Sequence, residues 1–257
     1  ISGQGSLVRF DGGFDSFEGK TTVYLNVDGR SGGEVGGSRA AHWMLLETAF
    51  TSLASKQSKG LWSSHSDHAL LNQTGRAALS DIKQEGLFIF QANRASDINQ
   101  VLQFSTRHRL KSVISGGQEA WIVREELAEA GVPVVINALD NLPGSFDGLG
   151  ARQDNAALLH EAGVIVLFTS GETHNARKLR QVVGNAVANG FPYQAAISAI
   201  TSLPAEVFGG APRMLAPGLN ADLVIWSGDP LEVDSAADQV IIDGKLDPMT
   251  SRQTQLL

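Results

Sequence analysis

The sequence predicts an α/β fold, a (β/α)8 barrel of the TIM type entered partway round, and three observations predict it. From Gly86 to Gly209, short β-branched runs alternate with amphipathic stretches, the pattern of parallel strand–helix units. The run Val132 to Asn137 is almost continuously apolar, which suits a strand covered on both faces. The 257 residues suffice for one large α/β domain. Only five strand–helix units are visible, however, where a closed barrel needs eight. The remaining opening strands are therefore expected upstream of Ile1, and the first methionine being Met44 suits a processed or truncated chain.

Taken in order, Thr22 to Val27 reads as a strand and Ser38 to Ala54 as a helix. Leu87 to Gln91 is the next strand, and Ser96 is placed as the N-cap of a helix running to about His108. Ser112 to Ser115 is a strand, followed by Gly116-Gly117 and a helix from Glu119 to Ala130. Val132 to Asn137 leads through a Gly/Pro/Asn-rich loop, 138–150, to a helix from Ala151 to Ala162. Val164 to Ser170 is the last strand of this series, and helices follow at Asn175 to Asn189 and Tyr193 to Thr201. The last fifty residues turn β-rich: Ala221 to Trp226 and Gln239 to Ile242 are strands, and Asp243-Gly244 is a tight hairpin turn. The expected division is a barrel portion over 1–210 and a small β-sandwich portion over 211–257.

The net charge is −7, with 42% hydrophobic and 18% charged residues. That profile fits a soluble globular enzyme scaffold and argues against a nucleic-acid surface, which needs clustered Lys and Arg. The one basic cluster, Arg107 to Lys111, reads as an ordinary helix C-terminus. No apolar run approaches the roughly 20 residues that span a bilayer. The chain has no cysteine, which excludes disulfides and thiolate chemistry. That avoidance leans towards export to an oxidising compartment over the cytoplasm.

The stretch Phe88-Ile89-Phe90-Gln91-Ala92-Asn93-Arg94-Ala95-Ser96-Asp97-Ile98 resembles a metal-site strand of the imidazolonepropionase-like branch of the amidohydrolase superfamily, where His-x-His-Arg-Ala-x-Asp-Ile is typical. Pro217 to Trp226, with its Gly-x-x-Ala-Asp-Leu-Val core, is similar to the tail of the same enzymes, and so is Ile241 to Lys245. Thr201 to Gly209 resembles their Thr-x-Asn-Pro-Ala-x-x-x-Gly segment, and Ser2 to Val8 a Gly-Gln segment that follows their first metal-binding strand. The resemblance implies a hydrolase of carbon–nitrogen bonds other than peptide bonds. It also implies a zinc or other divalent cation at the C-terminal mouth of the barrel, lowering the pKa of a bound water. At the family's ligand positions this chain has Gln91 or Asn93 for one histidine, Gly116 for a second, and Gly171, followed by Glu172, for the catalytic aspartate. Carboxamides offer weak oxygen donors where Zn²⁺ favours nitrogen and sulfur. No metal or other cofactor is therefore expected in this segment, and the alternative to a hydrolase is an inactive paralogue serving as a binding or partner subunit.

Substrate-pocket candidates are Gln91, Asn93, Glu119, Glu172, His174 and Arg177, all in or beside strand-end loops; no catalytic residue is assigned. Glu172 with His174 reads either as a local metal pair or as the polar start of the next helix. Arg177 and Arg180 read either as partners for a substrate carboxylate or as an ion-paired helix start. His65 and His68, in Ser64-His65-Ser66-Asp67-His68, form a further cluster in a polar loop, and Glu34 lies in a Gly-rich loop without the ending of a phosphate-binding loop. The expected partners are a small-molecule ligand and a second copy or paralogue of the chain, with neither nucleic acid nor membrane.

Overall fold

The structure is a computed structural model that describes residues 2–8, 17–29, 37–54 and 70–250. Glu34, His65 and His68 lie outside the described residues. Six strands form one sheet in sequence order: β1 (Gly3–Val8), β2 (Phe17–Asn26), β3 (Leu87–Ala92), β4 (Ser112–Gly116), β5 (Val134–Ile136) and β6 (Val166–Phe168). The first pair is antiparallel and every later pair is parallel. This strand order is that of half a barrel, curled and parallel in the main.

Helices connect the parallel strands: α1 (Arg39–Ala54) and α2 (Gln73–Glu85) between β2 and β3, α3 (Ala95–His108) after β3, α4 (Arg124–Ala130) after β4 and α5 (Asn155–Glu161) after β5. Beyond β6 run α6 (Leu179–Ala188), α7 (Tyr193–Ile200) and α8 (Ser202–Phe208). Alternation along the strands decides what faces these helices. Phe88, Phe90, Ile114, Val134, Ile136, Val166 and Phe168 join the helix-side core, while the intervening Ile89, Val113 and Leu167 are buried on the other, inner face. An aromatic knot ties α1 and α3 to β3, with Phe50 5.5 Å from Phe88 and 5.1 Å from Phe104, centroid to centroid.

Three expectations shift. The helix expected at 119–130 is a short 3-10 turn, Ala120–Val123, followed by α4, and the one expected at 175–189 likewise opens with a 3-10 turn, Thr173–Lys178, before α6. The expected cap Ser96 lies inside α3: the flanking position is Arg94, whose side chain makes no capping bond, and the Ala95 N–H is met instead by Glu119 Oε2 at 3.0 Å. The hairpin turn at Asp243-Gly244 has φ values of 50° and 73°, both left-handed, as a two-residue hairpin loop requires.

The C-terminal residues form a second, three-stranded antiparallel sheet of β7 (Leu223–Trp226), β8 (Ala237–Ile242) and β9 (Lys245–Leu246). Arg180 of α6 joins this part to the barrel part. Its guanidinium donates to the carbonyls of Pro230, Glu232 and Ser235 and lies 5.1 Å over the Trp226 ring. Of the two roles open to Arg180, the structure gives it neither: it clamps a loop.

Candidate functional site at the strand ends

In parallel α/β sheets the chemistry sits at the C-terminal strand ends. The register here places Asn26, Gln91, Ser115, Val135 and Leu167 in one row across β2 to β6 on the inner face. Just beyond this row stand Asn93, Gly116, Asn137 and Ser170. These positions carry the carboxamides of Asn26, Gln91, Asn93 and Asn137 and the hydroxyls of Ser115 and Ser170, beside the apolar Val135 and Leu167. Among the described residues, no group of three or more His, Asp or Glu side chains comes together as a cation would require.

Gln91 and Asn93, both half-buried, converge on Gly116. A methyl built on Gly116 would lie 2.5 Å from Asn93 Oδ1 and 2.7 Å from Gln91 Nε2, so the two carboxamides fill the flank that a side chain at 116 would need. The backbone there has φ of +99°, and Gly117 follows at +60°, a conformation that disfavours any side chain. Gly171, at the end of β6, is also left-handed, with φ of +81°.

The other candidates separate from this pair. Glu119 is buried, and both its oxygens accept backbone N–H groups: Ala95 to Oε2 at 3.0 Å and Gly150 to Oε1 at 2.9 Å. It thus caps α3 from across the strand end and pins the loop after β5, a structural use of the carboxylate. Glu172 and His174 pair at 3.0 Å, but both are strongly exposed, at 67% and 72%, where an ion pair contributes little. Arg177 lies exposed on the same 3-10 turn. A cavity of about 10 Å³, the room of one water, lies beside Gly116 and is lined by Gln118, Asn137, Asp140, Arg152 and Asn155.

A feature that local sequence patterns do not signal is the path of residues 137–154, which carry no regular helix or strand before α5. Starting at the end of β5, this strap meets the residues just beyond β3 and β2 at 146–147 and those just beyond β4 at 148–150 before it enters α5. Gly150 meets Glu119, and its carbonyl accepts from Trp121 Nε1 at 2.7 Å. Gly148 packs against the Gln118 carboxamide, which a side chain at 148 would displace. The carbonyl of Phe146 accepts from Arg94 at 3.1 Å, and Asp147 accepts from the Gly29 N–H at 2.8 Å and pairs with Arg39. Arg39 Nε holds the buried Asp97 of α3 at 3.1 Å. Burial lifts the Asp97 carboxyl above its ordinary value against the pull of Arg39. Burial also pushes Asp147 upward, but the Gly29 N–H and the guanidiniums of Arg39 and Arg94 outweigh it and hold Asp147 below its ordinary value.

No protein-family profile matches the chain. A stretch of 115 residues, 44% of this chain, is 33% identical to the amidohydrolase tasK of Hapsidospora irregularis, and it covers 12% of that protein. The crystal structure of an amidohydrolase from Thermotoga maritima MSB8 superposes with a TM-score of 0.74 at 21% identity, over 89% of this chain and 62% of that one. A Xaa-Pro dipeptidase crystallised with methionine in its active site superposes at 0.51 with 20% identity, over 66% of this chain and 47% of that one. The chain thus spans only part of the length of each relative it matches. The structural likeness is one of fold, and the 115-residue stretch adds likeness of sequence to it. The half-barrel is thus similar in fold to one solved amidohydrolase, and the shared stretch is similar in sequence to another.

Proposed function

We propose that this chain is an amidohydrolase-type barrel whose strand-end mouth recognises a small ligand through neutral hydrogen-bonding groups and does not itself hold a hydrolytic cation. In this reading it is a binding or partner subunit. The observation that carries the proposal is the filling of the Gly116 flank by the Gln91 and Asn93 carboxamides. A divalent catalytic centre of this type needs imidazole and carboxylate donors. Carboxamides, a glycine at 116 and a glycine at 171 do not fit that need, and the left-handed backbone at both glycines opposes replacing them. Gln91 and Asn93 are the ligand-facing groups, with Asn137 and Ser170 beside them, whereas Glu119 supports the site from behind.

A second reading is a metal-dependent hydrolase of carbon–nitrogen bonds other than peptide bonds, its cation held by residues outside the described ones. The sequence match to an amidohydrolase favours it. On either reading we assign 1–210 to the barrel and 211–257 to a small β-sandwich portion, with β7 to β9 as the part described here, and place the protein in an exported compartment.

Calorimetric titration of Zn²⁺ and Mn²⁺ into the purified chain, beside a hydrolysis assay on dipeptides and N-acyl amino acids, separates the readings. The proposal expects no site tighter than about the millimolar range and no turnover with either metal. A micromolar site accompanied by metal-dependent hydrolysis establishes the second reading.

A further inference from the structure

We propose that the strap 137–154 is a lid over the strand ends and that Arg39 is its latch. Loops longer than about 12–15 residues without secondary structure are uncommon in compact domains and usually functional. This one runs past the ends of neighbouring strands, and its middle is held differently from the end that enters α5. Near α5 it is riveted by the buried Glu119, by Trp121 and by Asn155, whose side chain is bonded to the Trp121 N–H and the Gly117 carbonyl. Its middle, at 146–147, rests on Arg94, on the Gly29 N–H and on the Arg39–Asp147 pair.

Arg39 stands at the first residue of α1 and reaches two carboxylates at once. Asp97 is buried in the first turn of α3, whereas Asp147 lies on the strap, so Asp147 is the partner that can leave. Beyond the buried Ala138, the strap presents its large apolar side chains outward: Leu142 is 70% exposed and Phe146 82%. Its closed position is therefore held by the polar contacts named above and gains little from apolar burial, as expected of a segment from the low-stability end of the fold. Gly29 makes the seat possible, since a methyl there would lie 2.7 Å from Asp147 Oδ2 and 2.9 Å from Arg39 Nη2. The latch is independent of what the mouth binds, and of whether it binds a cation.

Hydrogen exchange read by mass spectrometry tests it in the full chain with Asp147→Asn, which removes the charge, and with Gly29→Ala, whose methyl would crowd both the Asp147 carboxylate and the Arg39 guanidinium in the seat. Because the chain has no cysteine, Ser115→Cys adds a single thiol in the mouth, and its labelling rate reports access. Both variants are expected to speed exchange across 137–154 about tenfold, to accelerate thiol labelling, and to leave β3 and β4 as protected as before. Arg39→Lys, with one nitrogen for two carboxylates, is expected to fall between. Unchanged exchange in the strap overturns the latch, and faster strap exchange with unchanged labelling overturns the lid. A rise of the same size in β3 and β4 also overturns the proposal, because the pair would then be holding the whole fold.

Discussion

At the scale of single residues, the structure reassigns a carboxylate and explains a glycine. Glu119 sits beside a strand end, where sequence reasoning looks for chemistry, yet both its oxygens are taken by the N–H groups of Ala95 and Gly150. Charge-assisted bonds to a helix N-terminus are among the stronger ones. Glu119→Ala is therefore expected to lower stability in urea unfolding by about 2–3 kcal/mol, since it leaves buried donors unmet. The sign of the pH dependence at Asp147 follows from its lowered pKa. Its contribution is fully present above its unfolded value of about 4 and disappears as the pH falls through the folded value. The melting-temperature gap between the native chain and Asp147→Asn is expected to be widest above about pH 5 and to close on further acidification. Asp97 runs the other way: its raised pKa gives a contribution present below the unfolded value and lost as the pH rises through the folded one. Asp97→Asn is thus the variant that steepens the acid dependence caused by Asp147.

At the scale of elements, β3, α3 and β4 were legible because alternation, helical periodicity and the Gly-Gly turn all agree there. The N-terminal antiparallel pair was only half read: β2 begins at Phe17, five residues before the expected start at Thr22, because its first half alternates polar residues with no apolar face. Helix α2 was not expected at all. Only Leu79 and Ile82 are buried on it, and the signal that could have found it is Asn72, whose side chain accepts the Gly75 N–H at 2.7 Å as an N-cap. Of the strap, 138–150 matches the expected loop, whereas the helix expected from Ala151 begins only at Asn155; the seat is not legible in sequence, since Gly29 and Asp147 stand 118 residues apart and no local pattern links them. Two element-scale outcomes are expected. Gly116→Ala should destabilise by about 1–3 kcal/mol through its left-handed backbone and its contact with Asn93. Adding Asn93→Ala should return part of that loss, a non-additivity that a double-mutant cycle measures. Arg180→Ala should speed hydrogen exchange in β7 and β8 while leaving β3 to β5 unchanged, because Arg180 ties the loop before β8 to α6.

At the scale of the whole molecule, lineage and chemistry point in different directions. The fold is similar to that of one solved amidohydrolase, and one stretch of sequence is similar to another. The strand ends described here present carboxamides, hydroxyls and glycines to the mouth, and the two carboxamides nearest the centre occupy the flank that a ligand-bearing residue at 116 would need. The likeness to amidohydrolases is legible in the sequence, from the Gln91-to-Ile98 stretch. The packing of Gln91 and Asn93 on Gly116 is not, because it depends on the parallel pairing of β3 with β4. Elsewhere, no described helix is long and apolar enough to cross a membrane. The most direct measurement of the central claim is elemental analysis of the full-length protein purified from zinc- and manganese-supplemented medium without chelator. The account predicts metal at background level; zinc, manganese or iron at near one equivalent per chain, retained through gel filtration, would contradict it.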